Sequence, residues 1–296
     1  SSASRSPVRA DRPRDMLDSR LVIVSGKGGV GKSAVAAALA LLAQRQGKRV
    51  LAVEMGSPGG LATHFSTGDL GFEPREVRPG LHAMMVVRSA ALLEYLSLQL
   101  RLPGIGRFGA VARAFDALAT AAPAVREIIT IGKIYWEVQA DRWDIVIADA
   151  PPAGQLGSYL RAPRSIAELV PSGRVRNQGD AMAGLLANPD LTRLVLVTLP
   201  EELPTTETVE TIEWLGEEDV VGPPTVMVNR VLPELASAGR PGGTAGEIVD
   251  LHRSLLAEQE HWMKVLPGDM ALPYLFGLFT PGEVAAHLSD TLEGLL

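Results

Sequence analysis

Short apolar runs rich in β-branched residues alternate along this chain with longer stretches whose apolar positions recur every three or four residues. Leu21-Val22-Ile23-Val24 opens the series of runs, and Val50 to Glu54, Leu81 to Val87, Trp143 to Ala148, Leu194 to Leu199, Thr225 to Val228 and Lys264 to Leu266 read as further strands. Runs this short, bounded by Gly, Pro or Asp, suit strands buried on both faces of a parallel sheet. The helical period covers Lys32 to about Gln46, closed by Gly47, then Ala90 to about Ala140 with a break at Pro103-Gly104. It returns after Gly154, over Pro204 to Leu215 and over Pro281 to Leu295. Strands alternating with helices predict an α/β architecture, a doubly wound, mostly parallel sheet with helices on both faces. The longest uninterrupted apolar run, Ala34 to Ala43, has ten residues, short of the roughly 20 needed to span a bilayer. It reads as a buried helix, and stable membrane insertion is not expected. The polar, glycine-containing segment Ser172 to Asp180 is expected to be mobile.

The first strand runs directly into Ser25-Gly26-Lys27-Gly28-Gly29-Val30-Gly31-Lys32-Ser33-Ala34. Gly26, Gly31, Lys32 and Ser33 satisfy G-x-x-x-x-G-K-[ST] in the strand-then-helix context that a phosphate-binding loop requires. Glycines let backbone N–H groups turn inward onto an anion, and the N-terminus of the next helix adds partial positive charge. Lys32 is placed for the β- and γ-phosphates of a nucleotide and Ser33 for its Mg²⁺. Lys27 is a second lysine inside the loop, which narrows the choice to one branch of P-loop proteins. An acid follows about 120 residues later, where the strand from Trp143 ends at Asp149. An acid there is suited to hold Mg²⁺ through its water shell; alone, a strand-end Asp reads equally as a turn or cap residue. Behind it Ala150-Pro151-Pro152-Ala153-Gly154 has the build of a switch, in which Gly154 pivots to offer its N–H to a γ-phosphate.

Composition removes several alternatives. The formal charge is −6 with a pI near 5.5, which argues against a general electrostatic hold on nucleic acid. No cysteine is present, which excludes disulfides, thiolate metal sites, iron–sulfur clusters and cysteine nucleophiles. His64, His82, His252, His261 and His287 show no metal-ligand spacing. Glu201, Glu202, Glu207, Glu210 and Glu213 crowd one predicted helix, as acids do near a helix N-terminus and on a solvated face; a dimer contact is the alternative. Residues 1–19 are rich in Ser, Pro, Arg and Asp without an apolar core. They read as a flexible cytoplasmic tail rather than a secretory signal, ahead of a P-loop domain over 20–296.

The motif G-K-G-G-V-G-K-S, the run Asp149 to Gly154, the strand Leu81 to Val87 leading to Ser89-Ala90-Ala91-Leu92, and Val228-Asn229-Arg230 together resemble the arsenite-pump and guided-entry (tail-anchored protein targeting) ATPase family. The resemblance is to its actinobacterial-type, anion-transporting branch, strong over about 20–160 and thinner over 190–276. It implies a deviant Walker A ATPase working with ATP/ADP and Mg²⁺. Lys27 then reaches across a dimer interface to the partner's phosphates as an arginine finger would, the partner being a second copy or a related ATPase subunit. Asn229 falls where relatives bond adenine, with a strand-end turn residue as the alternative reading, and Pro273 falls in the loop over the base. About 90–140 and 155–191 correspond to an inserted helical subdomain for a hydrophobic client, although their Leu and Ile also suit ordinary core.

Departures from the family pattern are as informative. Gly56 occupies the first-switch position of the Asp that positions attacking water, and glycine cannot do that work. Glu54, two residues earlier, is the acid at hand, either catalytic or structural. In the second switch Ala153 and Gln155 stand in place of Thr and His. The expected activity is slow Mg·ATP hydrolysis coupled to handling a membrane-protein client; the alternative is a weakly catalytic subunit that scaffolds or regulates an ATPase partner. Missing cysteines disfavour metalloid sensing, and the final helix is poorly suited to anionic lipid.

Overall fold

The computed structural model describes residues 16–56, 58–100, 124–235 and 242–296. Pro103-Gly104, Ser57 and residues 1–15 lie outside the described residues. Eight strands form one sheet: β1 (Leu21–Gly26), β2 (Val50–Glu54), β3 (Arg75–Arg78), β4 (Leu81–Met85), β5 (Ile145–Asp149), β6 (Thr192–Thr198), β7 (Thr225–Val231) and β8 (Met270–Pro273). Their order is β3-β4-β2-β5-β1-β6-β7-β8. Every pairing is parallel except β3 with β4. The helices are α1 (Lys32–Arg45), α2 (Gly60–His64), α3 (Arg88–Leu100), α4 (Ala124–Gln139), α5 (Ala153–Leu169), α6 (Arg174–Ala187), α7 (Glu202–Glu218), α8 (Thr244–Val265) and α9 (Pro281–Leu295).

Strict alternation along the central strands separates two cores, because successive side chains leave opposite faces of a pleat. Val22, Val24, Ala52, Ile145 and Ile147 face α1, α2 and α9, whereas Leu21, Ile23, Leu51, Val146 and Ala148 face α4, α5 and α6. The apolar run from Ala34 to Ala43 is buried throughout, as its composition predicts, since α1 is wedged between the sheet and α9. In the helical block Ile131, Ile134, Leu156, Leu160, Leu185 and Leu186 pack into the second core, so these residues are ordinary core. Trp136, Leu169 and Val175 remain exposed.

Three local expectations change. Lys264 and Val265 end α8 rather than form a strand; the edge strand is Met270–Pro273, which pairs with β7. The helical spacing of Ile248, Leu251 and Leu255 points to α8, but all three are exposed, so no buried face reinforces the pattern. Ser172 to Asp180 is largely the start of α6, with Gly173 at the N-cap. Gly179 is there for packing, not mobility: a Cβ on it would lie 2.9 Å from the Pro163 carbonyl oxygen and 3.0 Å from Ile166. Met16, Leu17 and Ser19 are buried, so the described end of the expected tail packs on the domain.

Register places the chemistry on one edge of the sheet. Asp149 pairs with Val24 across β1 and with Glu54 across β2, so the loops leaving β1, β2 and β5 converge. Thr198 pairs with Val228, which brings Asn229 to the same carboxyl edge, where open α/β sheets bind ligands.

Candidate nucleotide-binding site

The loop from β1 to α1 takes its shape from glycines in conformations other residues avoid. Gly26 has φ 143°, and a Cβ on it would lie 2.0 Å from the Val197 carbonyl oxygen. Gly29 and Gly31 follow at φ 86° and 97°, in the left-handed region that L side chains rarely adopt. A Cβ on Gly28 would meet nothing within 4 Å, and Val30 is buried.

Lys32 donates to the Lys27 carbonyl oxygen at 3.0 Å. Burial lowers its pKa, and the nearby Asp149 charge partly offsets that. Ser33 donates its hydroxyl to Asp149 Oδ2 at 2.5 Å. Burial raises the Asp149 carboxyl to about 6, against the lowering effects of that hydrogen bond and of Lys32. The structure therefore brings together Lys32, Ser33 and Asp149, which the sequence separates by over 100 residues. Ser25, fully buried, donates to the Pro151 carbonyl oxygen at 2.7 Å and ties β1 to the Pro151-Pro152 turn after β5. Pro152 is the N-cap of α5 and Gly154 sits in its first turn, where N–H groups lack intrahelical acceptors.

The segment after β2, expected to form the first switch, is arranged differently from a water-positioning site. Glu54 is buried, and its carboxylate accepts the backbone N–H groups of Leu61 at 2.6 Å, Gly59 at 3.2 Å and Ala62 at 3.4 Å. That carboxylate anchors α2. Gly56 is exposed, near Pro151. Gly60 leaves room for the phosphate end, since a Cβ there would lie 2.6 Å from Ser33 Oγ and 3.2 Å from Asp149 Oδ2.

Asn229 also serves the loop directly. It is buried, its side-chain amide donates to the Val30 carbonyl oxygen at 2.9 Å, and its Oδ1 accepts the Arg230 N–H at 2.9 Å. A cavity of about 580 Å³ extends from Gly29, Gly31, Lys32, Ser33 and Ala34 past Asn229 to Pro273, Tyr274 and Phe279. Its phosphate end is polar and its far end aromatic and aliphatic, the profile of a small-molecule site. The wall also takes in Arg230, which lies in the Val228-Asn229-Arg230 run without a role read for it there, and His64, Tyr274 and Phe279, which no motif marks. Arg230 sits at a register irregularity in β7 with φ 59°, and such bulges re-aim side chains beside sites. His64 bonds the Gly60 carbonyl oxygen through Nδ1 at 2.7 Å.

Lys27 does not project freely. Its ammonium is ion-paired with Glu207 on α7 of the same chain. The acidic face of α7 is otherwise solvated as expected, with Glu201, Glu202, Glu210 and Glu213 exposed. No helix among the described residues is long and apolar enough to cross a membrane.

Comparison with known proteins agrees with this geometry. The family profile described as anion-transporting ATPase matches residues 19–177, more than half of the chain. The ATPase BagA of Mycobacterium tuberculosis is 35% identical over 233 residues, covering 75% of this chain and 68% of that protein. The ATPase Get3 of Schizosaccharomyces japonicus is 27% identical over 249 residues, covering 71% and 74%. Its counterpart in Neurospora crassa is 27% identical over 151 residues, covering 50% and 44%. With the phosphate loop, the Ser33–Asp149 pair and the cavity lying within or beside the matched region, the chain belongs to the anion-transporting ATPase family and is an ATPase.

Proposed function

We propose that the protein binds Mg·ATP between two subunits and couples binding and slow hydrolysis to a conformational switch that handles a hydrophobic, membrane-protein client. The observation that carries this reading is Lys27, a second loop lysine whose side chain stays 29% exposed while its carbonyl is held by Lys32. Lys32 binds the β- and γ-phosphates; a lysine fixed there by its backbone and held at its tip only by the half-exposed Glu207 carboxylate is suited to phosphates brought by a partner. Ser33 and Asp149 are hard oxygen donors 2.5 Å apart, a donor set that fits Mg²⁺. When bound, Mg²⁺ neutralises charge on the phosphate oxygens. Asn229 holds the loop closed, and Pro273 with Tyr274 lines the base end of the cavity. Gly154, at the start of α5, answers the γ-phosphate and passes its presence to the helical layer, where Trp136, Leu169 and Val175 are the exposed apolar residues offered to a client.

A second reading, a nucleotide-holding subunit that supports an ATPase partner, is favoured by Gly56 and by the engagement of Glu54 with backbone. Single-turnover hydrolysis by the purified chain separates the two. Conversion of bound ATP without any partner supports the first reading, and ATP held intact over many hours supports the second.

A further inference from the structure

Glu207 is the acid on α7 that a solvated face does not account for. Its carboxylate pairs with Lys27, and the two side chains are 44% and 29% exposed. The post on which it stands is tied to its neighbours. Thr211 donates to the Glu207 carbonyl oxygen at 2.6 Å, and α7 is clamped to α5 by Arg161, which donates to Glu218 at 2.7 Å and stacks over Trp214. Arg164 adds hydrogen bonds to the carbonyl oxygens of Glu218 and Asp219. On the other side Lys32 fixes the Lys27 backbone at 3.0 Å. The lysine stem is therefore the movable part, and it is folded back onto its own chain.

We infer that Glu207 is a positioning residue for Lys27: it parks the ammonium in cis and releases it when a second copy presents nucleotide phosphates. This inference rests on the proposed action of Lys27 across a dimer. A lysine ammonium is a compact charge on a flexible stem, and one carboxylate is outcompeted by a polyphosphate carrying several charges. The pair is half-exposed, so its hold is modest, about 1.4- to 5-fold in an equilibrium constant. Both copies must release their lysines in a symmetric dimer, so the factor enters squared. Removing the parking partner should tighten ATP-dependent dimerisation about 2- to 30-fold, a range that follows from the single-pair estimate.

The test is the dimer dissociation constant of the full chain with Mg²⁺ and a slowly hydrolysed ATP analogue, from sedimentation equilibrium. It compares the unaltered chain with Glu207→Gln, Glu207→Asp, Lys27→Ala and Glu210→Gln. The last removes one exposed charge from the same helix and controls for weakened repulsion. The inference predicts tighter association for Glu207→Gln, a smaller gain for Glu207→Asp, and no change for Glu210→Gln. A gain of association is not the signature of a damaged fold. Unchanged or weaker association of Glu207→Gln, with Lys27→Ala monomeric, overturns the parking role and leaves the dimer reading standing. Normal dimerisation and hydrolysis by Lys27→Ala would overturn the dimer reading itself, and the parking role with it.

Discussion

Replacing Glu54 discriminates between an acid that works on water and one that builds the switch. Its carboxylate accepts two short-to-moderate backbone N–H bonds, from Leu61 and Gly59, and a long one from Ala62. Hydrogen bonds to a charged group are worth about 1.5–3 kcal/mol each. Counting the two shorter ones, Glu54→Ala should destabilise the nucleotide-free chain by about 3–6 kcal/mol, a large share of a typical total of about 5–15 kcal/mol. Glu54→Gln keeps one carbonyl acceptor and should cost about 1–2 kcal/mol. Urea denaturation without nucleotide gives these values, since bound ligand would add its own stabilisation. Steady-state ATPase on the same preparations supplies the second axis. Stability within about 0.5 kcal/mol of the unaltered chain, together with abolished hydrolysis in Glu54→Ala, would refute the reasoning and put the carboxylate on the reacting water.

Gly26→Ala should prevent correct folding of the loop, since its Cβ would sit 2.0 Å from the Val197 carbonyl oxygen at φ 143°; the readout is loss of soluble, nucleotide-binding protein. Gly179→Ala forces α5 and α6 apart at the Pro163 carbonyl and should cost about 1–3 kcal/mol, measured by denaturation, with the ATP dissociation constant unchanged. Asn229→Ala orphans the buried Val30 carbonyl oxygen and should weaken ATP binding by about 1–2 kcal/mol, or roughly tenfold, in calorimetric titration. The Arg49 hydrogen bonds hold Asp144 at about 2, below its ordinary 3.8. A depressed carboxyl stabilises above the unfolded pKa and loses that contribution as pH falls through the folded one, so a small stability loss between about pH 4 and pH 2 should vanish in Asp144→Asn.

What the sequence made legible was whatever a local pattern could carry. The β1 run, the glycine-lysine loop and the acid closing β5 share one mechanism, so local pattern was enough to expect them in one place, and the Ser33–Asp149 hydrogen bond joins them. The boundaries of β2 and α9 coincide with their apolar patterns, because each is bounded by residues that end or cap an element, such as Thr280 with its capping box. Edge elements were not readable in this way. β3 is four residues, mostly exposed, and α8 buries little of its length, so neither had a core to impose a period. Gly179 was misread because a glycine required by a close helix approach and a glycine in a mobile loop look alike in one dimension. Glu54 and Glu207 could be located but not interpreted, since their partners lie in an amide cluster and across 180 residues respectively.

The central claim is that Lys27 completes the active site of another subunit, and a complementation assay addresses it most directly. Lys27→Ala keeps its own nucleotide site but offers no lysine to its partner; Lys32→Ala offers Lys27 but cannot hold nucleotide. The account predicts that each is inactive alone and that an equal mixture recovers about a quarter of the unaltered Mg·ATPase rate, since half of randomly formed pairs are mixed and each holds one complete site. Activity of Lys27→Ala by itself, or no recovery in a mixture shown to form mixed dimers, would contradict it.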